Sequence, residues 1–396
     1  MKKNFTLLLV LTSFLALAQP AGYYNAATGT GYALKTQLKK IIDDVNDGLS
    51  PEFLHIDRGY GSGTNTNNNG LWTAYKTTDR DLGIGYENDN TIVDMYSENP
   101  NATDPYNYNY NTASSGNNGQ CGTYSGEGDC YNREHLVPQA YFSHYQIDPM
   151  KNDPNFVFPT DGKVNSIRDN YPFGPVSVAN YTSGNGSKRG SNVNSGYSAG
   201  YNNTVFEPID EFKGDIARSV LYFATRYEDL LGNFYTGTNV RSKDMFDGSS
   251  DKVFSNTFLN ILITWHLQDP VSTKEIIRNN AIYAFQSNRN PYIDHPEYVC
   301  QIWSATCANL SSDSFALDNN ITIYPNPALN NEVYVTATTE LKTIVLYNVN
   351  GQIIQEIKNP SKVENNTYKV SNLPKGFYLM QLGTENASTT KKLIVN

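Results

Sequence analysis

In YALKTQLKKIIDDV, apolar residues recur at three- and four-residue intervals. Leu34, Leu38, Ile41, Ile42 and Val45 therefore share one face of an amphipathic helix predicted over 32–46. The same period returns between 211 and 287. Ile216, Val220, Phe223 and Tyr227 form one stripe there, and Phe254, Phe258, Ile261 and Trp265 form another. A further helix marks its own start at DPVSTKEII. Ser272 and Glu275 have capping-box spacing, and Val271 is placed to pack on Ile276 as a hydrophobic staple. Over 100–120 and 181–203, Asn, Gly, Ser and Tyr displace the aliphatics, which predicts long loops. After 321 the period falls to two. EVYVTA, TIVLYNV, QIIQEI, TYKVSNL, GFYLMQL and KKLIV alternate, and Asn350-Gly351 between two of them signals a hairpin. The pattern predicts an α+β chain: a mainly helical region over 19–308, a linker at 309–320 and a small all-β sandwich at 321–396.

The first residues change the picture. MKKNFTLLLVLTSFLALAQ has a basic start, a short apolar run and Ala16-Leu17-Ala18, so residues 1–18 read as a cleavable signal peptide. No later stretch is apolar enough to span a bilayer, so an exported chain without a membrane span is expected, and it is read as a monomer. Four cysteines in an exported chain suggest disulfides. Of the three connectivities, the local one, Cys121–Cys130 with Cys300–Cys307, is expected. Residues 19–317 carry 21 Lys and Arg against 33 Asp and Glu. That balance argues against holding nucleic acid by charge alone, but it does not exclude an enzyme whose site carries its own cation.

Candidate chemistry gathers in two stretches, YNREHLVPQAYF (131–142) and FPTDGKVNSIRDNYPFG (158–174). Thr160 or Asp161 can cap a helix whose first turns carry Asn165 and Arg168 on one face. Glu134 and Asn165 offer oxygen donors, which suit a hard cation rather than zinc. His135 can take a proton from water, and an arginine fork can hold a phosphate. Such a set would hydrolyse a phosphodiester. Arg133 is a further phosphate candidate or else a solvated strand-end charge. Arg278 and Arg289 could add to a substrate-facing patch. Asp294-His295 reads as part of a rigid turn, and His266 as a half-buried helix histidine.

These segments, with VFEPIDEFKGDIARSVLYFATRY and NRNPYIDHPEYVCQIW, resemble the bacterial endonuclease I family over about 23–303. These are exported, non-specific nucleases of the ββα-metal (His-Me finger) class. The resemblance implies a small ββα core with His135 as general base and Glu134 and Asn165 as ligands of one divalent ion. Mg²⁺ is the first expectation, with Ca²⁺ or Mn²⁺ as alternatives. It implies that Arg168 holds phosphate or braces the site, that DNA and possibly RNA are substrates, and that products carry 5′-phosphates. One departure is the segment DPNFVFPTDG, where Asn155 and Phe156 replace an expected imidazole and its neighbour.

The tail segments IYPNP, VLYNVNGQ, LPKGFYLMQL and KKLIVN resemble the sorting domain of the type IX secretion system. They imply passage through the periplasm to the exterior or the cell surface, with that secretion machinery as partner. The alternative is a surface adhesin or glycan-binding protein on an inactive nuclease scaffold, using aromatic-rich loops such as YNYNY (106–110) to stack on sugars.

Overall fold

The computed structural model describes residues 19–61, 70–83, 88–100, 102–110, 119–142, 148–236, 241–310, 321–364, 366–384 and 388–396. The predicted leader and residues 311–320 of the predicted linker lie outside these. Buried apolar side chains fall into two separate cores, one running from Tyr23 to Cys307 and one from Ile321 to Val395.

Helix α1 (Gly31–Ile42) buries Leu34, Leu38, Ile41 and Ile42 as its period predicts. It ends earlier than expected. The Asp43 carboxylate accepts the Val45 N–H at 2.9 Å, a local bond that competes with the helix, and Val45 is left 51% exposed. After α2 (Leu71–Thr78) the chain reaches the site elements described below, and then α4 (Lys213–Arg226), buried along almost its whole length. Packed around α4 or following it are α5 (Leu231–Thr236), α6 (Ser242–Met245), α7 (Asn256–Gln268), α8 (Thr273–Gln286), α9 (Pro291–Asp294) and α10 (Glu297–Ile302). The capping box at Ser272 and Glu275 is present. The staple is not, since Ile276 is exposed. Glu275 also accepts the Arg218 fork at 2.5 and 2.8 Å, which draws Lys274 and Glu275 inward and turns Ile276 outward.

Two small sheets belong to this region. Strands β1 (Tyr131–His135) and β2 (Val157–Asp161) pair antiparallel, with Glu134 opposite Phe158 and His135 opposite Val157. Helix α3 (Gly162–Arg168) follows β2 directly. The second sheet, β3 (Val176–Thr182), β4 (Lys188–Asn192) and β5 (Thr204–Glu207), puts β4 and the end of β3 inside the 181–203 stretch expected to be loop, and flanks it with the rest. Residues 177–180 of β3 are all exposed, Val178 included, so the strand buries no alternating face.

Beyond the helices, β6 (Ile321–Leu329), β7 (Glu332–Ala337), β8 (Thr343–Asn348), β9 (Ile353–Lys358), β10 (Lys362–Glu364), β11 (Thr367–Val370), β12 (Gly376–Gly383) and β13 (Ser388–Val395) form one sheet, ordered β10-β11-β7-β6-β13-β12-β8-β9. Two antiparallel halves join where Ala328 pairs parallel with Val395. Both halves contribute to the second core. Asn350-Gly351 turns β8 into β9, with Gly351 at φ 78°, where glycine is favoured. The disulfides are Cys121–Cys130 and Cys300–Cys307.

Several side chains expected at a surface are inside. Arg278 is 6% exposed and holds Asp79, and Arg289 is 1% exposed and grips Asp294 with two nitrogens at 2.6 and 2.7 Å, so neither faces a substrate. Asp294 also accepts the Tyr24 hydroxyl, and His295 stacks on Tyr298, consistent with a structural turn. The YNYNY tyrosines also turn inward. Tyr106 donates to Glu127, Tyr108 to Asp161 and Tyr110 to the Thr91 carbonyl.

Candidate active site

The β1–β2 hairpin and α3 bring both predicted stretches to one cleft of about 280 Å³. Its lining includes Tyr60, Glu134, His135, Asn165, Arg168 and Asp169. Each element has a local reason. Asp161 is the helix cap, its carboxylate accepting the Val164 N–H at 2.7 Å. Gly162 is required at the start of α3, because a Cβ there would lie 2.5 Å from the Tyr124 ring. Gly162→Ala is expected to cost about 1–3 kcal/mol of stability. Any activity of this cleft should fall with it, since either Tyr124 or the helix bearing Asn165 must shift. Thermal melting and a cleavage assay on the same protein check both.

Asn165 donates from Nδ2 to the Arg133 carbonyl at 3.1 Å. An amide that spends its NH₂ on a carbonyl presents its oxygen elsewhere, here to the cleft it lines. Glu134 is 2% exposed. Its Oε1 accepts the Tyr96 hydroxyl at 2.8 Å and lies 3.2 Å from Arg168 Nη1. Burial raises the Glu134 pKa, opposed by the Arg168 charge and the Tyr96 bond. Both donors converge on Oε1, which leaves Oε2 for the cleft.

His135 Nε2 lies 3.1 Å from the Lys151 carbonyl. A carbonyl only accepts, so Nε2 carries the proton and Nδ1 holds the lone pair. Burial lowers the imidazole pKa to about 4, helped by Arg133 and Arg168 and opposed by the Lys151 carbonyl. The ring is therefore neutral at ordinary pH.

The two arginines are braces by geometry. Arg168 is 1% exposed, and besides Glu134 it donates to the carbonyls of His135 (3.0 Å) and Leu136 (2.6 Å). Arg133 lies 3.5 Å from the Tyr60 ring centroid and 4.2 Å from that of Trp72, and its Nη1 donates to the Tyr60 and Gly61 carbonyls at 2.8 Å. The Arg168 fork is spent on these acceptors, whereas Arg133 is half-buried, lines the cleft and holds its two carbonyls through Nη1. Asn155 does not reach α3. Its Nδ2 donates to Asn288, within a buried network that also holds Asp153, Tyr222 and Gln286.

The donor set fits a hard divalent cation: a carboxylate oxygen and an amide oxygen at one cleft, beside a neutral imidazole. Among the described residues, no three His, Cys, Asp or Glu side chains are grouped to hold a metal ion. Two protein ligands at Glu134 and Asn165 would leave most of the shell to water and substrate oxygens. Tyr96, the Lys151 carbonyl and the rings that flank Arg133 had no signal in the sequence.

Comparison with known proteins adds to this picture. The family described as Endonuclease I matches residues 30–297, and the secretion system C-terminal sorting domain matches residues 322–396. The protein named extracellular ribonuclease of Bacillus amyloliquefaciens is 30% identical over 289 residues, covering 71% of this chain and 78% of that relative. Its namesake in Bacillus subtilis (strain 168) is 30% identical over 300 residues, covering 74% and 84%.

Proposed function

We propose, for a chain that belongs to the endonuclease I family and ends in a secretion sorting domain, that it hydrolyses phosphodiesters with His135 as general base and one divalent cation held by Glu134 and Asn165. The protein is a secreted or surface-displayed nuclease of that family. Among the described residues, no helix is long and apolar enough to cross a membrane. The observation that carries the catalytic reading is the shared cleft of the His135 ring, Glu134 and Asn165. We read β1–β2–α3 as the ββα-metal unit.

In this reading Nδ1 of His135 takes a proton from water, the water oxygen attacks phosphorus, and the 3′-oxygen leaves. The other fragment keeps a 5′-phosphate. Nε2–H, held on the Lys151 carbonyl, fixes the ring and stabilises the imidazolium. A hard divalent cation, Mg²⁺ first, would neutralise a phosphate oxygen and the leaving oxygen. Arg168 and Arg133 hold the backbone that presents these groups. Non-specific cleavage needs only backbone contacts. RNA stands beside DNA as substrate because the two relatives are named ribonucleases.

The mature chain should nick supercoiled plasmid and cleave a structureless RNA with Mg²⁺ or Mn²⁺, and do neither in EDTA. If folded protein cleaves neither with Mg²⁺, Mn²⁺ or Ca²⁺, the proposal fails and a binding protein on a nuclease scaffold becomes the better account. The inward YNYNY tyrosines remove the main support for that alternative.

A further inference from the structure

We infer that Tyr96 is a positioning residue for the bound cation, setting which oxygen of Glu134 meets it; the inference rests on the reading of Glu134 as a metal ligand. Tyr96 is fully buried. Its hydroxyl lies 2.8 Å from Glu134 Oε1, the oxygen that also faces Arg168 Nη1 at 3.2 Å. Among the described residues, no donor is directed at Oε2. The carboxylate therefore has one oxygen committed to the protein and one left for the cleft. A carboxylate with both oxygens unheld would rotate and lose ordering entropy on binding an ion.

Tyr96 is itself fixed, and the fixing group reaches the second ligand too. Asp94 is buried, and its Oδ1 accepts the Tyr96 N–H at 2.8 Å. Its Oδ2 accepts the Asp161 N–H at 2.7 Å, and Asp161 caps the helix that carries Asn165. One carboxylate thus joins the strut behind Glu134 to the helix behind Asn165. A chain of four hydrogen bonds sets where both oxygens stand relative to each other. The Tyr96 ring packs against Phe206 at 5.0 Å, so Tyr96→Phe keeps the ring contact and removes only the hydroxyl.

The test measures Mn²⁺ binding directly, by titration calorimetry without substrate, on the full chain and on Tyr96→Phe, Glu134→Gln and the double variant. Tyr96→Phe is expected to weaken Mn²⁺ about tenfold with near-UV circular dichroism unchanged. Glu134→Gln should weaken it more, and the double variant should equal Glu134→Gln, because the hydroxyl acts only through that carboxylate. If Glu134→Gln leaves Mn²⁺ affinity unchanged, the metal-ligand reading fails, and this inference with it. If Glu134→Gln abolishes binding but Tyr96→Phe binds normally, Tyr96 alone is overturned. Additive losses in the double variant overturn it as well. So does a Tyr96→Phe chain that does not fold, since the hydroxyl would then hold the fold rather than the ion.

Discussion

His135→Ala is expected to lower phosphodiester cleavage roughly 10²–10⁴-fold, the range for losing a positioned proton acceptor. The ring's Nε2 is committed to the Lys151 carbonyl, so Nδ1 is the nitrogen available to water. Alanine removes that lone pair while leaving Glu134, Asn165 and the β1–β2 register in place. Calorimetric Mn²⁺ affinity should therefore hold within a few-fold, and the loss should appear in the cleavage step at saturating substrate. Single-turnover cleavage under Mg²⁺ checks the assignment. An unchanged rate would move the base elsewhere. A lost rate with lost metal affinity would mean that the ring also supports the ligands.

Arg168→Met is expected to cost about 3–5 kcal/mol of stability, the usual penalty for leaving one partner of a buried ion pair uncompensated. Arg168 and Glu134 side chains are 1% and 2% exposed. The same guanidinium satisfies the carbonyls of His135 and Leu136 and lies 4.6 Å from the Phe173 ring centroid. Methionine fills the space and leaves three acceptors without this donor. Chemical denaturation should show the loss, and cleavage should fall with it because Glu134 loses one of two holds. Arg168→Lys should recover little, since one ammonium cannot reproduce a fork that spans three oxygens. Normal stability with weaker substrate affinity would return Arg168 to a phosphate-binding role.

The residues proposed to react are more legible in the sequence than their supports. Glu134, His135 and Asn165 stand in short motifs of distinctive spacing, and the cap at Asp161 and the stripes of α4 and α7 follow from local period and turn chemistry. Tyr96 lies far from Glu134 along the chain, and Lys151 contributes a backbone carbonyl that any residue type has. Nothing local could mark either. Arg133 reads equally as a phosphate contact or a strand-end charge, because Tyr60 and Trp72 meet it only in three dimensions. The sheet of β3, β4 and β5 carries a weaker signal: β4 and β5 are only five and four residues long, and β3 faces solvent over 177–180, so no strand there buries a full alternating face.

The arginine–carboxylate pairs inside the first core bear on which charges are left at the surface. Arg168, Arg218, Arg226, Arg278 and Arg289 are all at most 6% exposed, so they add little to the charge that an approaching polyanion feels. Four of their partners, Glu134, Glu275, Asp79 and Asp294, have buried side chains as well, so these pairs cancel. The repulsion an approaching polyanion meets comes from the excess of 33 acids over 21 bases across 19–317. Added salt screens that repulsion over about a Debye length, roughly 8–10 Å in ordinary buffers. Moderate added salt should therefore speed, not slow, the encounter of this region with nucleic acid.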